Sequence, residues 1–180
     1  MVPRAPITMT SGHAWPTTTE EGVAAAMFYL AAYVLMNIGA FAVVAHISGK
    51  GEKRLEIEDL SGLGVAQPMT AAALSIFLLS LIGAPLTGGF FGKFYIFKAA
   101  LESKLVWLAA LGLLNSAVAA YYYLRILVVM YMQEPGPAVS DLPPLPMGLK
   151  AALIAPAVGV LLLGIFPAVL LEFAIRSAKL

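Results

Sequence analysis

Lys93 lies in the run LSLIGAPLTGGFFGKFYIFK, residues 79–98, where its neighbours are almost all apolar residues, glycine or proline. On an insertion scale a lysine at mid-membrane costs about 2.5–3.5 kcal/mol, so such residues pair or face water. Taking an ammonium out of water favours the neutral amine, which suits a lysine in this setting to proton relay. The alternative is a snorkel, in which the stem follows the helix and the charge reaches an interface. Lys98, nearer the end of the run, fits the snorkel better.

Just before Lys93, the residues Gly83, Pro85, Thr87, Gly88 and Gly89 crowd into one short stretch. Proline removes a backbone donor and clashes with the preceding turn, whereas glycine leaves helical geometry at little steric cost. A helix broken here frees polar backbone groups, which are tolerated only inside protein or beside a water-filled cavity. Such discontinuities mark ion and substrate sites in transporters. The hydroxyl of Thr87 can satisfy one freed group.

Other residues carry weaker signals, each with a plainer reading beside it. His46 has the type to pass protons near neutral pH, since the unperturbed imidazole titrates near 6.5; its plainer role is interfacial. Arg125 follows Tyr121, Tyr122 and Tyr123, a grouping that anchors helices at a membrane boundary. It also has the type to pair with a carboxylate or close a water path. Tyr33 and Asn37 share one helix face and can hydrogen-bond to a neighbouring helix. Asn115 and Ser116 are candidates to line a cavity facing Lys93, and Glu172 has Arg176 one helical turn away. Dinucleotide fingerprints, phosphate loops and metal-ligand spacings are all missing. Without cysteine, the chain has no ligands for thiolate-held clusters and no disulfides.

These residues need elements that hold them, and composition says which kind. Of 180 residues, 61% are hydrophobic and 12% charged, against roughly 25% charged in an average soluble domain. Mean hydropathy is +0.89. Ten acids and eleven bases are too few to solvate the surface of a soluble fold of this length. The lipid bilayer is the expected solvent, and a net charge of +1 leaves no nucleic-acid footprint.

A membrane helix needs about 20 mostly apolar residues. Four stretches qualify, at 23–48, 67–99, 105–132 and 149–173. The second is too long for one straight crossing unless it tilts or breaks. The expected fold is therefore all-α: a polytopic membrane bundle of about four spans, the second broken near Gly83–Gly89. Helices satisfy their own backbone amides away from water, and alternating strands of barrel type are absent.

Residues 1–22, with His13 and Trp15, are polar and threonine-rich, and read as an exposed leader; 23–180 form the membrane domain. The connection at 49–66 is charged, 102–104 is short enough to make its flanking spans antiparallel neighbours, and 133–148 is proline-rich. Lys50, Lys53 and Arg54 favour a cytoplasmic 49–66 loop, with 133–148 on the same side.

The run LSLIGAPLTGGFFGKFYIF, with FYLAAYVLMNIGAF before it and SAVAAYYYLRILVVMY after it, resembles the C-terminal part of subunit N of the proton-pumping NADH:quinone oxidoreductase, respiratory complex I. That family is related to the membrane subunits of Mrp-type cation/proton antiporters. The resemblance covers roughly residues 22 to 173, and its most specific motif is Gly-Phe-Phe-Gly-Lys-Phe. It implies that Lys93 stands on a broken helix in the C-terminal half of a proton path. One departure is visible: GAPL stands where the family often has two successive prolines, though Pro85 remains. A larger one is length, since only the last four helices of a longer subunit are matched.

The resemblance thus implies a part of the proton-translocating membrane arm, with other membrane subunits and the missing N-terminal helices as partners. NADH, FMN, iron–sulfur clusters and quinone are expected on partner subunits and none in this chain. The location implied is a bacterial-type plasma (inner) membrane. Two rival readings stay open: a subunit of a cation/proton antiporter without electron transfer, and a structural membrane module that moves nothing.

Overall fold

The computed structural model describes residues 18–49, 56–140 and 142–178, which are helical with short connections and contain no strand. Most of the expected leader, with His13 and Trp15, lies outside the described residues, as do Lys50, Lys53 and Arg54.

The first helix, α1, runs Thr18–Ser48. It begins inside the segment expected as leader, because no proline interrupts the ladder after Pro16. Its 31 residues reach about 46 Å, longer than a hydrocarbon core near 30 Å. A single 3-10 turn, Ile57–Leu60, and a short helix α2, Leu63–Ala66, follow. Next come α3, Pro68–Ile82, and α4, Gly88–Glu102. Pro68 is the first residue of α3, where its missing N–H costs nothing. The long helix α5 is Val106–Met132, α6 is the short Pro137–Ser140, and α7 is Met147–Ile165. The last helix, α8, is Pro167–Ala178.

By length and composition α1 over Gly22–Ser48, α5 and α7 can each cross a membrane, while α3 is apolar but shorter. The expected second span is divided into the two shorter helices α3 and α4. The stretch 149–173 divides: α7 ends at Ile165, and Pro167 starts α8, which packs against α1.

One end of the bundle is stitched by hydrogen bonds. Gly62 N–H donates to the Val129 carbonyl (3.4 Å) and Gly136 N–H to that of Ser61 (3.2 Å). Ser61 Oγ donates to Gln133 Oε1 (2.8 Å) and Gln67 Nε2 to the Pro143 carbonyl (3.0 Å). The end of α5, the start of α3 and the loop before α7 therefore meet at this end, and the last turn of α1 joins them through His46 and Gln67.

The core is built largely from one face of each of three helices, joined by Leu63 of α2, Met130 of α5 and Val139 of α6. Ala32, Met36, Val43 and Ile47 of α1 meet Leu74, Phe77, Leu78 and Leu81 of α3 and Leu153, Ala157 and Val160 of α7. These spacings of three, four and seven place each set on a single helical stripe. The opposite face of α1, with Leu30, Val34, Ile38 and Phe41, is equally apolar and exposed.

Phe77 is fully buried, with its ring over Gly39 of α1. Phe77→Ala is expected to leave a cavity between α1 and α3 costing about 3 kcal/mol. The check is thermal unfolding of the chain in mild detergent, and an unchanged midpoint would refute the packing role.

Candidate functional site

The interruption between α3 and α4 spans residues 83–87 and lies halfway along α1, with Gly88 close to Ala32. Its construction begins with a glycine. Gly83 adopts a left-handed conformation (φ 98°, ψ 43°), which ends α3. Its N–H donates to the carbonyls of Leu79 and Ser80 (both 3.0 Å), and Ala84 N–H donates to Leu79 (2.9 Å). That pattern satisfies the carbonyls of Leu79 and Ser80. It leaves those of Leu81 and Ile82 without backbone donors.

Lys93 supplies the missing donors. Its Nζ donates to the Leu81 carbonyl at 2.8 Å and to that of Ile82 at 3.0 Å. The two oxygens are also the negative end of the α3 dipole, where a cation is favoured. Lys93 is partly buried. Among the described residues the ion pairs are Lys98–Glu102 (3.5 Å) and Arg125–Glu58 (3.1 Å), so no carboxylate partners Lys93 there.

The start of α4 is seated as tightly. Thr87 is buried and its Oγ1 donates to the Ala84 carbonyl at 2.7 Å, closing the linking turn. Gly89 N–H donates to Ser80 Oγ at 3.1 Å, across the interruption. A Cβ on Gly89 would run into the Ser80 carbonyl, so only glycine permits this approach. Pro85 and Leu86 are exposed at the turn, and Leu86 lies with its carbonyl against Gly164 of α7.

The other candidates lie elsewhere. His46 Nε2 is 3.2 Å from Gln67 Oε1, which also accepts from Thr70 Oγ1 at 3.0 Å. His46 is thus tied to the stitched end of the bundle. Because α3 has 15 residues, about 22 Å of helix separates this cluster from the carbonyls that hold Lys93. Arg125 reaches Glu58 beside the same end, and both side chains are exposed. Neither His46 nor Arg125 is brought to Lys93. Asn37 donates to the Tyr33 carbonyl of its own helix at 2.8 Å rather than across to a neighbour. Asn115 is exposed on α5, and Glu172 and Arg176 are exposed on α8, neither in an ion pair among the described residues. Among the described residues no three of His, Asp and Glu gather as a metal site would require.

Ser80 escaped the sequence reading. Its signal was present, a lone serine in an apolar helix shortly before a glycine–proline turn. Nothing in the pattern says that it faces the next half-helix. Gln67, which joins His46, Thr70 and Pro143, was missed for the same reason.

The family described as NADH:quinone oxidoreductase/Mrp antiporter, TM, matches residues 8–119. NADH-quinone oxidoreductase subunit N 1 of Solibacter usitatus is 66% identical over 160 residues, covering 89% of the chain and 33% of that protein. Its namesake from Sorangium cellulosum is 47% identical over 160 residues, covering 88% of the chain and 32% of that protein. The chain therefore spans about a third of the length of these relatives. Among solved structures, a chain of respiratory complex I from Thermus thermophilus with bound aureothin superposes with a TM-score of 0.73 and 35% identity. That match covers 86% of this chain and 35% of the other. A chain of the Mrp complex from Dietzia sp. gives a TM-score of 0.77 at 23% identity, a likeness of fold, over 88% of this chain and 38% of that one.

Two substitutions separate the tight contact from the loose one. Gly89→Val drives a branched side chain against the Ser80 carbonyl, an overpacking expected to cost about 1–3 kcal/mol or more. Glu58→Gln removes an exposed ion pair, expected to matter by less than about 1 kcal/mol. Thermal unfolding in detergent should rank them in that order, and the reverse ranking would refute the assignment.

Proposed function

The chain belongs to the NADH:quinone oxidoreductase/Mrp antiporter membrane-subunit family, and from that premise we propose that it forms part of the proton-translocating membrane arm of an NADH:quinone oxidoreductase. Lys93 is the proton carrier at its centre. The observation that carries this reading is the hold on Lys93: Nζ lies 2.8 and 3.0 Å from two backbone carbonyls at a helix interruption.

The chemistry follows from that arrangement. Two N–H groups of the ammonium are engaged by Leu81 and Ile82, and the third is left to reach water or an acceptor. Were the partner a fixed carboxylate, deprotonation would strand a buried anion. Here it strands only two carbonyls, which the neutral amine or water can still serve. A charge held this way can be released and restored at modest cost. Gly83, Pro85, Thr87, Gly88 and Gly89 hold the helix end open for it.

His46 stands at the stitched end of the bundle, where a proton enters or leaves the chain, and acts there rather than beside Lys93. Arg125 serves mainly as an anchor through Glu58. NADH, FMN, iron–sulfur clusters and quinone belong to partner subunits, because a chain without cysteine has no thiolates for clusters and carries no dinucleotide fingerprint. The partners are other membrane subunits, together with the helices that make up the rest of the longer relatives. The setting is a bacterial-type plasma (inner) membrane.

The test is proton pumping per NADH oxidised in membranes carrying the assembled complex. Lys93→Ala is expected to reduce pumping by about tenfold or more, since a positioned proton-transfer group is typically worth 10²–10⁴. Arg125→Lys is expected to do far less. Normal pumping by a normally assembled Lys93→Ala complex would sink the proposal. Sodium-coupled exchange indifferent to NADH and quinone would instead favour an antiporter.

A further inference from the structure

We infer that Ser80 is the positioning residue for Lys93, an inference that rests on the reading of Lys93 as proton carrier. Ser80 is fully buried and belongs to both half-helices at once. Its backbone carbonyl accepts the Gly83 N–H that ends α3 (3.0 Å). Its hydroxyl oxygen accepts the Gly89 N–H in the first turn of α4 (3.1 Å). The Gly83 N–H also reaches the Leu79 carbonyl, whereas the buried Gly89 N–H would be left without a partner if the Ser80 hydroxyl were removed.

The register that results is what brings Nζ to its acceptors. Leu81 and Ile82 directly follow Ser80, so their carbonyls move with it. Lys93 lies four residues beyond Gly89, one turn along the same face of α4. The Ser80–Gly89 contact therefore fixes the distance between the lysine and the carbonyls from both sides. Gly89 admits the contact because a Cβ there would meet the Ser80 carbonyl. Thr87 is turned to its own loop through Ala84 and leaves the Gly89 N–H to Ser80. Among the described residues Lys93 is the charged group at the junction; Tyr29 of α1 packs against α4 at Gly92, and Tyr95 and Lys98 lie further down α4.

Without the Ser80 hydroxyl, α4 can shift against α3 and the lysine no longer meets both oxygens at once. The effect is on proton transfer, not on the amount of complex formed. Ser80→Ala is the direct variant, since it removes one oxygen and adds no bulk. Ser80→Cys keeps a weak acceptor of similar shape. Leu79→Ala, at the exposed neighbouring residue, is the control.

In the assembled complex, Ser80→Ala is expected to lower pumping per NADH several-fold, about what the loss of one net hydrogen bond implies. The pH profile of pumping should also be displaced, with Ser80→Cys intermediate and Leu79→Ala like wild type. Wild-type pumping and pH profile for Ser80→Ala, alongside a defective Lys93→Ala, would overturn the role of Ser80 and leave the lysine reading standing. Normal pumping by Lys93→Ala would remove that reading and this inference with it. Failure of both Ser80 variants to assemble would also overturn the inference, by making Ser80 a folding residue alone.

Discussion

Two backbone carbonyls organise this molecule. When α3 stops at Ile82, the left-handed turn at Gly83 satisfies two of the four carbonyls at the helix end and leaves those of Leu81 and Ile82 over. In water such groups would be hydrated at no cost, but halfway through a membrane bundle they need a donor. Lys93 provides it, so the break and the charge answer each other: an ammonium needs acceptors and a helix end needs donors. Lysine is suited to this work by its compact, flexible donor group, which serves two oxygens without the planar geometry that guanidinium demands.

The rest of the structure keeps that arrangement in place. The α1 helix runs past both half-helices and bridges the interruption with Ala32 near Gly88 and Phe28 edge-on to Tyr95, their rings 5.4 Å apart. The α7 helix meets the turn at Gly164. Small residues do this because backbones must approach closely where packing, rather than water exclusion, drives helix association. At the far end of α3 the His46–Gln67–Thr70 cluster ties the bundle to the loop at Pro143. The lysine ammonium and the histidine thus stand at the two ends of one short helix.

Much of α5 remains uncovered. Trp107, Leu111, Leu114, Val118 and Tyr121 are all exposed, as is the Leu30–Phe41 face of α1. The chain spans about a third of the length of its longer relatives. These faces are also where sequence patterns lose their power. In a soluble protein the polar face of a helix marks solvent and the apolar stripe marks the core. Here both faces of α1 are apolar, because lipid tails are as apolar as leucine. Nothing in its composition says that Met36 is buried while Val34 is not.

The sequence alone determined the solvent, the helical class, the family and the break. The solvent, the class and the break depend on bulk composition or on residues with strong local preferences: long apolar runs, and glycine and proline at 83–89. The family rests on the resemblance carried by motifs such as Gly-Phe-Phe-Gly-Lys-Phe. The sequence also singled out Lys93, because a charge among apolar neighbours is conspicuous wherever it lies. Pro167 marks the extra division on the same local grounds, although the apolar run carries through it. Only the tertiary structure decided what Lys93 touches, that Ser80 reaches across to Gly89, that Asn37 turns back on its own helix, and that His46 and Arg125 stand apart from the lysine. Those are matters of which face meets which. Contacts between helices that are apolar all round are set by shape and by single polar atoms, and neither leaves a period in the sequence.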